Sequence, residues 1–204
     1  MRKYLLLSMF LCLVSLLHAR NKFELVSPNG EIRVSFNLSD KIYYSIDYNG
    51  DVLLKDNYLQ LTLKNQVLGQ NPKLRRQKRT SIDEHLTPVV PLKYSKVNNR
   101  YNQLLLTFKD YSVEFRAFDD GVAYRFITSR KGDVEVMGEE FAINFPSDYL
   151  LHLQQPGGFH TAYETSIFSQ ALSDNRNIRL SQPLLLSLAV RQVREKHCLH
   201  TFYC

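Results

Sequence analysis

Tryptophan is absent, and cysteine occurs only at positions 12, 198 and 204. Cys12 lies in an N-terminal apolar run, so Cys198 and Cys204 are left for the folded body. Two late cysteines cannot form a disulfide framework that staples the rest of the chain. The fold must rest on burial of its own apolar faces. No stretch longer than two turns shows clean helical periodicity, which excludes a helical class. Gly157-Gly158 lacks the Lys and the helix that a phosphate cradle requires, so it reads as a loop. His85, His152, His160, His197 and His200 are scattered, and none falls in the helical His-Glu pattern of a zinc protease. Ser166, Ser169 and Ser173 lack the Gly-x-Ser-x-Gly elbow of an α/β-hydrolase.

What is present is ordinary for a folded protein. The chain has 204 residues, with 44% apolar and 23% charged, enough for one domain and a tail. Tyr and Phe number 12 each, and rings in that quantity suit a pleated, half-buried surface. Residues 1–19 stand apart. Arg2 and Lys3 give a positive start, Leu5 to Leu17 is almost wholly apolar, and Ala19 offers a cleavage position. This is the pattern of a secretory signal peptide, cut after Ala19, with a core too short for a comfortable membrane span. Leu17 stands where a small residue is preferred, which leaves an uncleaved anchor as the alternative. Cys12 follows Met9, Phe10 and Leu11, which is no lipid-attachment context. The expected location is periplasmic or secreted, with no membrane association after cleavage. Cleavage removes two positive charges and leaves 24 Lys and Arg against 20 Asp and Glu, a net of +4. That is too modest to imply a nucleic-acid partner.

Period-two alternation then runs along the chain. Ile32, Val34, Phe36 and Leu38 share one face, with polar residues between them. Pro28-Asn29-Gly30 is a turn, which makes Phe23 to Ser27 the preceding strand of a hairpin. Ile42 to Asp47 is joined through Asn49-Gly50 to Val52–Leu54, and Asn-Gly suits a tight hairpin turn. Tyr58 to Lys64 alternates again. Residues 65–86 break the pattern and read as an exposed connection. Thr87 to Val97 reads as one or two short strands broken at Pro88 and Pro91, and Asn98-Asn99 as a turn into Asn102 to Lys109. The clearest unit is Tyr111 to Phe118, Asp119-Asp120-Gly121, and Val122 to Ile127, an Asp-Gly hairpin. Short strands are expected at Asp133 to Val136, Glu140 to Phe145, Tyr149 to Leu153 and Leu184 to Val190. Thr165 to Asp174 could pass for a short helix. The fold class is all-β: a large antiparallel β-sandwich, supersandwich-like and incomplete at the C-terminus, over residues 20–190. Residues 191–204 form an irregular basic tail.

The chemistry-bearing residues have plain structural explanations. Asp119 and Asp120 are adjacent carboxylates, and glycoside hydrolysis uses two carboxylates about 5–9 Å apart. They sit in a hairpin turn, however, where Asp serves turn geometry. Glu139 and Glu140 fit a solvated strand end. His197, Cys198, His200 and Cys204 are metal-ligand types at a spacing that fits no standard zinc motif. The basic run Lys73–Arg79 has no interleaved aromatic residues and fits a solvated loop. No catalytic, cofactor or metal residue is therefore assigned.

The order of segments resembles the N-terminal domain of glycoside hydrolase family 97, the group of Bacteroidetes α-glucosidases and α-galactosidases. The resemblance is carried by Leu25 to Gly30, by Tyr101-Asn102-Gln103-Leu104, and above all by Phe115 to Phe126. Glu139-Glu140-Phe141 and Phe145-Pro146-Ser147-Asp148 follow in the expected order, so that about residues 23–190 are covered. The resemblance implies a β-sandwich packed on a (β/α)₈ barrel that carries the catalytic carboxylates, with calcium assisting in the full-length protein. It also implies a calcium-binding carboxylate from a Glu-Ala-Asp-Leu-like segment after a Pro-Leu-Leu strand. Pro183-Leu184-Leu185-Leu186 matches the strand, but that segment does not follow, and Glu195 is given no ligand role.

The leading expectation is a domain truncated before its barrel, inactive alone, marginally stable, with exposed apolar edges. Its partners would be the missing barrel and an α-linked oligosaccharide. The alternatives are a stand-alone carbohydrate-binding or interaction module, and an intracellular nucleic-acid binder that uses Lys73–Arg79.

Overall fold

The computed structural model describes residues 22–90, 94–129, 131–141, 143–153, 166, 168–171, 173, 189–192 and 198–199. They form strands arranged in three antiparallel sheets, with no α-helix among the described residues. The first sheet contains β1 (Lys22–Val26), β2 (Ile32–Leu38), β3 (Ile42–Tyr48) and β4 (Asp51–Leu63), joined as neighbouring hairpins. β5 (Gln66–Leu68) pairs with β4, and β10 (Val136–Phe141) closes the other side of β4. The second sheet runs β6 (Arg76–Leu86), β7 (Val97–Thr107), β8 (Tyr111–Phe118) and β9 (Val122–Thr128) in chain order. The third consists of β11 (Tyr149–Leu153), flanked by β12 (Phe168–Ala171) and by β13 (Ala189–Gln192), which pairs with β14 (Cys198–Leu199).

The expected hairpins are present because their turns fit. Asn49 and Gly50 both have positive φ, 50° and 89°, as a two-residue turn matched to strand twist requires. In the Asp119-Asp120-Gly121 turn, Phe118 N–H donates to Gly121 O at 2.8 Å. The alternating residues of β2 are buried as read: Ile32, Val34, Phe36 and Leu38.

Several expectations need correction. Of Thr87–Val97, the described residues 87–90 and 94–96 form no strand and Val97 opens β7, and the strands expected at Asp133–Val136 and Glu140–Phe145 are replaced by one, β10 (Val136–Phe141). Val52–Leu54 and Tyr58–Lys64 belong to one strand, β4. Its register against β3 shifts near Ile46, and Asp56, at φ 51°, donates its N–H to Ser45 Oγ at 3.0 Å. The irregularity changes the parity of the apolar residues, so one strand reads as two. The supposed connection 65–86 contains β5 and the 11-residue β6. Asn98-Asn99 lies within β7, opposite His85 and Glu84, and the chain reverses in the preceding segment instead. Phe168–Ala171, within the stretch that could pass for a helix, is a strand. Residues 1–19, 184–188 and most of the tail lie outside the described residues.

The first two sheets face each other across the core. Phe115 of β8 meets Phe36 of β2 edge-on, with ring centroids 4.5 Å apart, and Tyr44 of β3 at 5.9 Å. Leu104, Leu106, Val113 and Ala117 fill the same layer from the second sheet and Ile32, Val34, Ile42 and Leu59 from the first. Asn57, wholly buried on β4, accepts a bond from Asn144 N–H at 2.6 Å and so holds the segment leading to β11. Tyr149 of β11 packs on Phe145 and directs its hydroxyl to Val52 O at 3.4 Å. Among the described residues, no helix is long and apolar enough to cross a membrane.

Candidate functional site

The acidic candidates separate in space and take structural roles. Asp119 Oδ1 accepts the Asn29 N–H at 2.7 Å, tying the β8–β9 turn to the β1–β2 turn. Asp120 is exposed beside it. Glu139 Oε1 accepts the Tyr124 hydroxyl at 2.8 Å, a bridge from β10 to β9, and Glu140 lies opposite Gln60 in the β4–β10 ladder. The basic run is exposed, and its second half opens β6. Arg79 Nη2 donates to Glu24 O at 3.0 Å, which latches the strand to β1.

Of the histidines, His85 is exposed on β6 and His152 lies on β11; His160, His197 and His200 lie outside the described residues, as do Gly157-Gly158, Glu195 and Cys204. Cys198 pairs with Arg191 through the β13–β14 ladder. Ser166 and Ser169 are exposed, and Ser173 donates its hydroxyl to Asp148 Oδ2 at 2.8 Å. Among the described residues, no group of three or more His, Cys, Asp or Glu side chains could hold a metal ion. Pro183–Leu186 and residues 193–197, where the resemblance would place a calcium ligand, lie outside the described residues.

Alternation alone does not reveal Glu114. It sits on the β8 face turned away from the core, yet only 6% of its side chain is exposed. Arg116 Nε donates to Glu114 Oε1 at 2.7 Å and Arg125 Nη2 to Oε2 at 3.1 Å, and the Arg116 guanidinium lies 4.7 Å from the Tyr101 ring centroid. Both carboxylate oxygens are thus committed to cations, which makes Glu114 an anchor for β8 and β9 rather than a free acid or base. A signal existed: Glu114, Arg116 and Arg125 occupy one face of the predicted hairpin.

Two surfaces remain. The first is a groove of 380 Å³ along the outer side of β1, β2, β3 and β4, lined by Glu24, Ser35, Asn37, Tyr43, Ser45 and Asp56 among others. Tyr43, which lines it, and Tyr58 are cross-strand neighbours with ring centroids 6.3 Å apart, and Lys41 Nζ sits 3.6 Å over the Tyr58 ring. The Ser39 hydroxyl holds the Asp40 carboxyl below its usual range, while desolvation and then the Asp40 charge push the Tyr43 phenol up. The second surface is apolar. Leu86, Val89, Val90, Tyr94 and Val97 are exposed together around the β6–β7 connection.

Residues 25–195 match the family described as Glycosyl-hydrolase 97 N-terminal. The chain belongs to this family. A retaining alpha-galactosidase of Bacteroides thetaiotaomicron is 40% identical over 145 residues, which is 70% of this chain and 22% of that protein. This family 97 N-terminal domain therefore spans about a fifth of that relative's length. Two solved structures share the fold. A glycoside hydrolase family 97 enzyme from Pseudoalteromonas sp. strain K8, in complex with acarbose, aligns with a TM-score of 0.63 and 20% identity over 74% of this chain and 25% of that one. A beta-arabinopyranosidase aligns with a TM-score of 0.58 and 23% identity over 66% of this chain and 23% of that one.

Proposed function

We propose that this family 97 N-terminal domain is the non-catalytic sandwich of an exported glycoside hydrolase, and that it works docked on a catalytic (β/α)₈ barrel. The substrate class would be α-linked galactosides or glucosides. The observation that carries this is the family match over residues 25–195, in relatives of which the aligned part is only 22% and 25%. The exposed apolar cluster around the β6–β7 connection supplies a surface for docking. Residues 1–19 would direct export and be removed after Ala19. Any calcium would be bound in the full-length protein.

The chain starting at Arg20 should show no turnover of p-nitrophenyl α-galactoside or α-glucoside, and should bind a family 97 barrel supplied as a separate polypeptide. Substituting Val89 and Val90 by Ser should weaken that binding without unfolding the sandwich. Turnover by the isolated chain would sink the proposal.

The groove beside Tyr43 and Tyr58 favours a second reading, a carbohydrate-binding module. The Tyr43 ring with Ser, Asn and Asp side chains is the chemistry that holds a sugar ring. Calorimetric titration with maltooligosaccharides and melibiose separates the two. Millimolar affinity lost in Tyr43→Ala supports the module, and no heat at millimolar sugar removes it.

A further inference from the structure

We propose that the open edge of β6 is a self-complementary interface through which two copies of this chain pair antiparallel about Ser81. β6 ends its sheet, and among the described residues no strand pairs with its other edge. Its ladder with β7 is continuous from Arg76↔Thr107 to Leu86↔Val97, without a bulge. A long, regular edge presents unpaired backbone N–H and C=O groups that invite another strand. Charges usually guard such an edge, because like charges meet when copies approach.

Here the charges are sorted. Arg76, Lys78 and Arg79 occupy the first half of the strand, and Asp83 and Glu84 the second. With Ser81 on a two-fold axis, Lys78 of one copy lies opposite Glu84 of the other, and Arg79 opposite Asp83. Symmetry repeats both pairs, and no like charges meet. Registers shifted by one or two residues keep at most one opposite-charge pair per half. Parallel in-register pairing sets every charge against its own sign. The pairs also agree in face. Arg79 and Asp83 lie on the side of Leu104, whereas Lys78 and Glu84 lie on the opposite side.

The side chains are partly held already. Arg79 keeps further N–H groups beyond the one that reaches Glu24 O. Glu84 Oε1 takes the Asn99 amide at 2.7 Å, leaving Oε2 for Lys78 of the other copy. Asp83 contacts Arg100 loosely, at 3.9 Å. Pairing would join two four-stranded sheets into one of eight strands.

Sedimentation of the full chain over a range of concentrations tests the inference. The expected result is a monomer–dimer equilibrium. Lys78→Glu with Arg79→Glu, and separately Asp83→Lys with Glu84→Lys, should each raise the dimer dissociation constant at least about tenfold. An equimolar mixture of the two altered chains should regain dimer, because every opposing pair is again opposite in charge. All four positions are exposed on the strand, and circular dichroism checks that the altered chains remain folded. As an independent readout, Ser81→Cys in a Cys12→Ser, Cys198→Ser, Cys204→Ser background should give a disulfide-linked dimer on mild oxidation, and Gln77→Cys should not. A monomer at every concentration, a dimer indifferent to charge reversal, or a mixture that fails to associate would each overturn the interface.

Discussion

β6 and β8 lie in one sheet with only β7 between them, yet they are opposites. β8 is buried on both faces over most of its length, including Ser112 and Glu114 on the side away from the core. β6 is exposed on both faces, with only Thr80 and Ile82 partly covered. Side-chain packing holds the first strand, and a backbone ladder holds the second. Strand geometry is therefore separable from burial in this molecule. Sequence patterns report burial, so they find β8 and miss β6.

The contrast breaks most sharply at Phe115. Its ring touches Phe36 and Tyr44 across the core and Tyr124 beside it, and it is fully buried. Phe115→Ala should cost about 3–5 kcal/mol, lost transfer energy plus an unfilled cavity. Urea unfolding measures it, and a cost below about 1 kcal/mol would mean that β8 does not anchor the sandwich.

What the sequence made legible follows from the same physics. β2, β3, β8 and β9 were readable because one face of each must be apolar to meet the other sheet, and their Asn-Gly and Asp-Gly turns admit few alternatives. β6 carries Arg, Lys, Asp, Glu and His on both faces, so no alternation exists to be read. β4 was split because the irregularity around Asp56 moves its apolar residues to new parity. For the acidic residues, the turn role of Asp119 was legible from its neighbours. The anchoring role of Glu114 needed the pairing with β9 that brings Arg125 opposite it. The groove beside Tyr43 joins four strands and exists only once their register is fixed.

Gly69 sharpens the comparison at the seam between the sheets. It follows β5, adopts φ +88°, and donates its N–H to the Tyr111 hydroxyl of β8 at 3.1 Å. A Cβ there would stand 2.5 Å from Leu59 O, against backbone that cannot swing aside. Gly69→Ala should cost roughly 2–3 kcal/mol. Gly50→Ala has a similar φ of +89° and no atom within 4 Å of the added carbon, and should cost about 1 kcal/mol. Equal losses in thermal unfolding would show that φ alone, not the contact with Leu59, sets the effect.

Glu114 probes the outer side of β8. Glu114→Ala strands the guanidiniums of Arg116 and Arg125, whose side chains are 32% and 59% exposed. Water can take over part of the lost pairing, so the cost should be about 1–2 kcal/mol rather than that of a fully buried ion pair. Replacing Arg125 alone by Ala should cost less, since Arg116 still holds Oε1. A larger loss from Arg125→Ala than from Glu114→Ala would reverse the assignment of Glu114 as the hub.

The smallest effect is expected on β6. Gln77 and His85 are exposed, point to the side of Leu104 in the ladder, and are absent from the apolar core. Replacing both by Ala removes no buried surface and leaves every backbone bond to β7 in place, so stability should change by less than about 0.5 kcal/mol. The measurement belongs at low protein concentration, where pairing between copies contributes least. If the double substitution cost more than about 1 kcal/mol there, side-chain contacts would be holding β6 as they hold β8. The division of the sheet into a packed strand and a laddered strand would then fail.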